Sequence, residues 1–464
     1  MAVPAPVSPP PKVEPPTDED ASPAADTTLI RKAPQPAFGS DDEPSGSTDG
    51  QLWVRTRRDE LVLLPTARLE VDGSTVMAVN RYVSGKTLAL NLARIDAAGW
   101  IVSKVFFDLS ADFAAGPSLR HVDNFVGVAP WGDRAIFQIG QFDVPFTLEN
   151  RTSDRYLDFI GRGAAVRAFA VPENKDQGLL LHGTNPDRNY YYSAAILNGE
   201  GPAVTGVDGQ LDVMARGWVA PFSFRGREAW RRITVGGSAW TGDRVMGPLY
   251  AGQRSQGGYS VLDPSVWWRN GGPPGPLAVR ERGRLYALAF ELNAPFGDRF
   301  GARVEWIGKR QPYSAVDVTN PDHPQVVGGL DFSGWATYAE VWGWVLGDAR
   351  LLGAPAAPGL ELPVRLRDFV PASPKNGLML AARVDYVDEE MAPTAYSSAV
   401  GLGAASAGTT KLTALTLGVS YWYSRRAHLD ANYVFNHVGG TSPFLIGLGG
   451  KNEQELLVRT AFAL

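Results

Sequence analysis

The side chains in this sequence best placed to act on a solute are charged residues that alternate with apolar ones. Arg68 is followed by Glu70, Lys104 by Asp108, Arg303 by Glu305, Arg383 by Asp385, and Glu455 by Arg459. Each pair shares one phase of a two-residue period, so on a β-strand both charges project to the same side. Charges of both signs on one surface either create a transverse field that orients polar solutes, or neutralise one another across strands. Bond-making chemistry has far less support. His121, His182, His323, His428 and His437 show no HExxH or other ligand spacing, and His428 and His437 fall on opposite faces of one strand. There is no G-x-S-x-G elbow, and Leu448-Gly-Gly-Lys451 lacks the earlier glycine spacing and the following Ser/Thr of a phosphate loop. With no cysteine, disulfides, thiolate metal sites and cysteine nucleophiles are all excluded. The sequence therefore predicts no catalytic residue, no metal site and no cofactor. A net charge of −5 supplies no basic field for nucleic acid.

These charges need strands to position them, and the sequence supplies strands almost throughout. From Thr413 to Tyr423, Leu415, Leu417, Val419, Tyr421 and Tyr423 share one face, against Ala414, Thr416, Gly418 and Ser420. The next segment sets Leu429, Ala431, Tyr433 and Phe435 against His428, Asp430, Asn432 and Asn436. The last sets Leu456, Val458, Phe462 and Leu464 against Glu455 and Arg459. Between residues 60 and 464 this pattern gives about sixteen candidate strands. Short connections alternate with longer ones at 147–176, 241–281, 312–334, 348–375 and 390–409. Trp100, Trp131, Trp240, Trp306 and the run Tyr421-Trp422-Tyr423 stand near strand ends, as interfacial girdles would. No apolar run is long enough for a transmembrane helix, but a barrel strand needs apolar residues only at alternate positions. Propellers and sandwiches also alternate. The sequence, however, shows no repeat of 40–50 residues, and the inward faces carry ionisable groups where a soluble fold would need its core. The fold class read from these patterns is all-β: a transmembrane antiparallel β-barrel over residues 51–464. Residues 1–50, built of Pro, Ala, Ser, Thr and acidic residues, are expected to be a disordered periplasmic segment. The start, Met1-Ala-Val-Pro, has no apolar signal core, so an exported protein is expected here in its processed form.

One stretch narrows the reading. Ile139-Gly-Gln-Phe142, Pro145-Phe146, Leu148-Glu-Asn150, Thr152-Ser-Asp-Arg155 and Phe159 precede Asn174-Lys-Asp-Gln-Gly-Leu-Leu-Leu-His-Gly183 and Tyr192-Ser-Ala-Ala-Ile-Leu-Asn-Gly-Glu-Gly201. In order and spacing these landmarks resemble the phosphate-selective porin (porin O and P) family. The resemblance implies a sixteen-stranded outer-membrane barrel, a homotrimer, and a loop folded into the lumen as a constriction. That loop would be residues 147–176, between the fifth and sixth strands. It would present Arg151, Arg155, Arg162, Arg167 and Lys175 to the permeating solute, with Glu149, Asp154 and Asp158 close by, and Tyr156, Leu157, Phe159 and Ile160 packed on the wall.

By strand phase, Arg68, Lys104, Arg303, Arg383 and Arg459 are the wall's lumen-facing cations. The expected function is passive diffusion of small hydrophilic solutes across the bacterial outer membrane, with a preference for anions. The family suggests phosphate; the scarcity of lysine and the mixed charges argue against assuming it. The expected partners are small anions or other small hydrophilic solutes and outer-membrane lipid. Two other classes remain open: a structural or anchoring barrel with a narrow pore whose N-terminal segment binds an envelope partner, and a secreted soluble β-protein.

Overall fold

The computed structural model describes residues 44–463 except 49–50, 57, 59, 79–84, 103, 115–119, 153, 155–156, 170–173, 186–188, 203–208, 224–229, 246–252, 257–259, 263–276, 297–298, 318–324, 348–375, 394–407, 425 and 443–451. Most of the 1–50 segment lies outside the described residues. Its end forms β1 (Ser45–Thr48), paired with β2 (Gln51–Arg55) in a hairpin.

Sixteen antiparallel strands then close a single barrel. The wall runs through β3 (Leu61–Ala78), β4 (Gly85–Ile101), β5 (Val105–Asp112), β6 (Arg120–Val128), β7 (Ile136–Asp143), β8 (Lys175–Thr184), β9 (Tyr190–Leu197), β10 (Asp212–Val219) and β11 (Thr234–Arg244). The next connection contains β12 (Gln253–Arg254), β13 (Ser260–Leu262) and β14 (Leu277–Glu281). The wall resumes with β15 (Gly283–Phe296), β16 (Phe300–Asp317), β17 (Gln325–Gly347), β18 (Gly377–Pro393), β19 (Gly408–Ser424), β20 (Ala427–Gly440) and β21 (Asn452–Ala463). Strand β11 pairs directly with β15, and β21 pairs with β3, placing Glu453 opposite Ala78 and Ala463 opposite Arg68. The ring so formed leaves no unpaired wall edge, which is the condition for strands to sit in hydrocarbon.

The two faces are as the alternation predicts. Leu415, Leu417, Val419, Tyr421 and Tyr423 are exposed on the outside, while Ala414, Thr416 and Ser420 are buried inside. Tyr286, Leu288, Phe290 and Leu292 point outward in the same way, as do Leu456, Val458 and Phe462. An outward band of this kind loses nothing by facing lipid.

Three expectations are corrected. Residues 312–317 and 325–334 are strand, because β16 and β17 run through 18 and 23 residues, well beyond the roughly 9–11 that cross a bilayer. The connection 348–375 joins β17 to β18 at the same end as the turns 102–104 and 297–299, so it is not one of the loops opposite them. Finally, Trp100, Trp240 and Trp422 are buried inside the barrel and form no girdle; Trp240 Nε1 donates to Asp212 Oδ2 at 2.8 Å. Trp131 is exposed, and Trp306 lies against the outward Phe290. Inside the short-turn end, Trp53 of the hairpin packs with Val62, Leu64, Trp100, Phe106 and Ile136.

Candidate functional site

Residues 144–174 connect β7 to β8, the fifth and sixth strands of the wall, as the sequence places them. The chain enters this connection through Thr147, whose φ of 62° puts a β-branched residue in a region costly for any side chain. Hydrogen bonds hold it there: Thr147 N donates to Ser238 Oγ of β11 at 3.1 Å, and Thr147 Oγ1 accepts from Asn150 N at 3.2 Å. A short turn of helix, α1 (Leu148–Arg151), follows directly.

From α1 the loop crosses to the opposite wall. Glu305 of β16 accepts the backbone N–H groups of Leu148 and Glu149, at 3.1 and 2.6 Å, and the hydroxyl of Tyr338 at 2.8 Å. Arg383 of β18 donates to Glu149 Oε1 at 2.8 Å and to Asp385 Oδ2 at 3.1 Å, with its guanidinium 4.4 Å above the Phe159 ring centre. Gly163 N donates to Glu149 Oε2 at 2.8 Å. A methyl group at Gly163 would lie 2.6 Å from Asp385 Oδ1, so the approach of loop to wall requires glycine here. Ile160 N donates to Asn432 Oδ1 of β20 at 2.7 Å. Beyond Gly163, α2 (Ala164–Phe169) buries Ala165, Val166 and Phe169 against the wall, with Phe169 beside Phe332 of β17. The loop therefore spans the lumen from β7 to β16–β20 and is fixed at several points on the far side.

Its charges are unequally partnered. Arg162 is consumed by the loop itself: it donates to the carbonyls of Glu149, Asn150 and Thr152 and pairs with Asp154 at 2.6 Å. Arg162, with the more distant Arg68 and Lys175, holds the Asp154 carboxyl below the usual carboxylate range. Arg151 donates to the Asp143 carbonyl. Lys175 is the first residue of β8, a rim position on the wall, and its Nζ sits 2.6 Å from both Asp123 and Asp143. Arg155 and Tyr156 lie outside the described residues.

Arg167 differs from its neighbours. Its Nε and Nη1 are buried in the lumen and have no hydrogen-bond partner. Burial lowers its affinity for a proton; Asp385 opposes that effect and Arg383 adds to it. For Glu149, burial pushes the carboxyl up to about 7, with Arg383 pulling the other way and Glu340 adding to the rise.

The wall arginines face inward in pairs. Arg68 reaches Glu70 at 2.8 Å, Arg459 reaches Asp72 at 2.7 Å and Glu70 at 3.2 Å, and Arg303 binds Glu340 at 2.7 Å and also Asp158 of the loop. Lys104 is the exception: it sits exposed in the turn between β4 and β5, because the strand period ends at Ile101. Sequence reasoning missed several other lumen cations. Arg216 pairs with Glu291 at 2.6 Å, Arg94 with Asp123 at 2.8 Å, and Arg244 with Asp212 and, at 3.3 Å, Glu281. Their signal was the strand phase: Arg216 alternates with Met214 and Trp218, an apolar-looking face that is nonetheless internal.

Residues 66–240 match the family described as phosphate-selective porin O and P, a span that includes the landmark stretch 139–201. No curated protein sequence matches the chain. Among solved structures, OmpT of Vibrio cholerae with loop L8 deleted, an outer membrane protein, superposes with a TM-score of 0.51 at 11% identity, covering 88% of this chain and 100% of that one. The in-vitro folded trimer form of OmpT from the same organism gives 0.50 at 12% identity, with 88% and 100% covered. These two likenesses establish the fold. With the closed wall and the loop drawn across its lumen, the chain is an outer-membrane β-barrel that is similar, over residues 66–240, to the phosphate-selective porins O and P.

Proposed function

We propose that this porin admits small hydrophilic solutes by passive diffusion, prefers anions, assembles as a homotrimer and performs no bond chemistry. The observation carrying the anion preference is Arg167. Arg167 leaves its donors Nε and Nη1 without hydrogen-bond partners, whereas Arg303, Arg383 and Arg459 are each bound to a carboxylate. A guanidinium in a narrow aqueous passage offers forked donors suited to carboxylate or phosphate oxygens. Arg151, Arg162 and Lys175 then act as scaffold charges that fix the constriction, and Arg68, Arg303, Arg383 and Arg459 set the field around it. The trimer rests on the family resemblance.

Reversal potentials of the purified porin in a KCl gradient test the reading. The wild type is expected to favour chloride, and Arg167→Gln is expected to lower the chloride-to-potassium permeability ratio. A cation-selective wild type would overturn the assignment. Added phosphate that reduces chloride current through the wild type, but not through the variant, would identify phosphate as a competitor for Arg167. A narrow anchoring barrel is the second reading, favoured by the near-complete burial of Glu305, Arg383 and Asp385 in the interior; resolvable single-channel openings in a planar bilayer exclude it.

A further inference from the structure

The inward faces that carry charge in the middle of the wall become aromatic at its short-turn end. Trp100 and Trp218 lie one residue before their strands finish, Phe106 and Tyr191 one residue after theirs begin, and Trp422 two residues short of Ser424. All five are buried and face inward, while Ile101, Val219, Tyr190 and Tyr421 beside them are exposed on the outer side. Three clusters result, set around the ring. Trp53, Trp100 and Phe106 pack together across β2–β5. Tyr191 stacks on Trp218 across β9 and β10 with ring centres 6.0 Å apart. Trp342 and Trp344 of β17 pack with Trp422 and with Phe159 of the loop.

This level is closed to water. Trp342 lies against Gly301 of β16, where a methyl group would run into the indole, and the Arg303 guanidinium covers the ring 5.8 Å from its centre. Trp53 sits in the same way against Gly46, with Arg55 over it at 5.2 Å. An inward ring bordering open water would keep much of one face accessible. Trp342 is 5% exposed and Trp53 2%, and both covering arginines are themselves only 7% exposed. Nε1 of Trp218, Nε1 of Trp342 and the Tyr191 hydroxyl are buried with no hydrogen-bond partner, although a wet wall would hydrate such groups. The cleft beside Trp422, walled by Arg68, Glu70 and His428, has room for about one water molecule.

We infer that this aromatic collar is a dry barrier that sets the permeation selectivity of the barrel, passing weakly hydrated anions and holding back strongly hydrated ones. The inference rests on the reading of the barrel as a diffusion channel and adds to it a second selective level, apart from Arg167. A narrow apolar segment expels water, and an ion entering it loses hydration that aromatic rings replace poorly. Arg216 and Arg303 do not relieve that cost, because Glu291 and Glu340 already neutralise them.

Bi-ionic reversal potentials of the full-length porin in planar bilayers, iodide against fluoride, are the first test. Iodide is expected to permeate about tenfold better after allowance for mobility in bulk water, a barrier difference of about 1.4 kcal/mol. A ratio no larger than the bulk mobilities overturns the collar with no variant needed. The second test uses Trp342→Asn and Trp342→Leu, which introduce side chains of nearly equal volume and opposite polarity. Trp342→Asn is expected to conduct about threefold more than Trp342→Leu and to lose part of the iodide preference, because only the polar side chain lets water in. Equal conductance in the two variants overturns the collar. Trp218→Asn and Trp218→Leu repeat the comparison in a separate cluster, so a folding defect at one position does not decide the outcome. The two readings fail separately. Resolvable openings with iodide and fluoride at their bulk ratio lose the collar and keep the channel; no openings in the wild type or in either Asn variant lose the channel as well.

Discussion

Glu149 holds the loop across the lumen in place and titrates near neutrality, so it links the loop to pH. Its carboxylate ties Arg383 to the loop through Oε1 and the Gly163 amide through Oε2, and burial places its pKa at about 7. The folded value lies above the ordinary one, so the protonated form is favoured in the folded state, and the stability this gives is lost as pH rises through 7. For permeation the sign is set by charge: as pH falls through about 7, one negative charge leaves the lumen-crossing loop and Arg383 is less neutralised. The chloride-to-potassium permeability ratio is therefore expected to rise on acidification with a midpoint near 7, and Glu149→Gln to remove that step. Reversal potentials recorded between pH 8 and pH 5.5 check this; an unchanged step in the variant would assign the titration to another group. Which arginines were spent could not be read from the sequence. Counting gives five basic residues between 151 and 175, but pairing depends on register, and the carboxylates that neutralise wall cations come from strands far along the chain, as Glu291 does for Arg216 and Asp72 for Arg459.

At the scale of elements, the loop is held by one wall carboxylate more than by any other. Glu305 accepts two backbone amides of α1 and the Tyr338 hydroxyl, all buried. Glu305→Gln can still accept one of those amides, but its own NH₂ then competes with the others, at a cost of about 1.5–3 kcal/mol for charged hydrogen bonds lost. The expected readout is faster open-channel flicker in planar bilayers, and current as quiet as the wild type would show that the other anchors suffice. The wall makes a separate prediction from its facing. Leu417 points outward in β19, so Leu417→Arg is expected to cost about 2–4 kcal/mol near the bilayer midplane, read from urea titration of vesicle-refolded protein. A cost below about 1 kcal/mol would mean that Leu417 does not sit near the bilayer midplane. The faces of β19, β20 and β21 were legible because a strand with lipid outside and charge inside can alternate in only one phase. The ends of β16 and β17 were not, because beyond the bilayer nothing requires the outward residues to be apolar. Pro312 and Asp331 thus read as loop although they face each other across a ladder. Lys104 failed for the converse reason: its phase with Asp108 was right, but β5 begins only at Val105, one residue later.

For the whole molecule, closure depends on one seam. The first and last wall strands, β3 and β21, lie side by side, and Arg459 bonds across them to Asp72 and Glu70. Removing Asn452–Ala463 would leave β20 and β3 with unpaired backbone groups facing hydrocarbon, each costing several kcal/mol. The truncated chain is expected to give no heat-modifiable barrel band on electrophoresis after refolding into vesicles, whereas the intact chain does. A band in the truncated protein would mean that β20 can pair with β3 directly. The sixteen-strand count was available from the sequence, since strand number follows from counting apolar phases. That β21 meets β3 follows only from the requirement that a membrane sheet have no edge.

The seam also bears on how this protein comes into being. Its two sides are the earliest and latest parts of the wall to leave a ribosome, so every shorter nascent chain has a hydrophobic exterior and no ring to complete. Such a chain cannot begin life in lipid a hairpin at a time. It must be carried as a whole, shielded from water and from its siblings, until β21 is available, and the membrane then receives it in a single cooperative event or not at all.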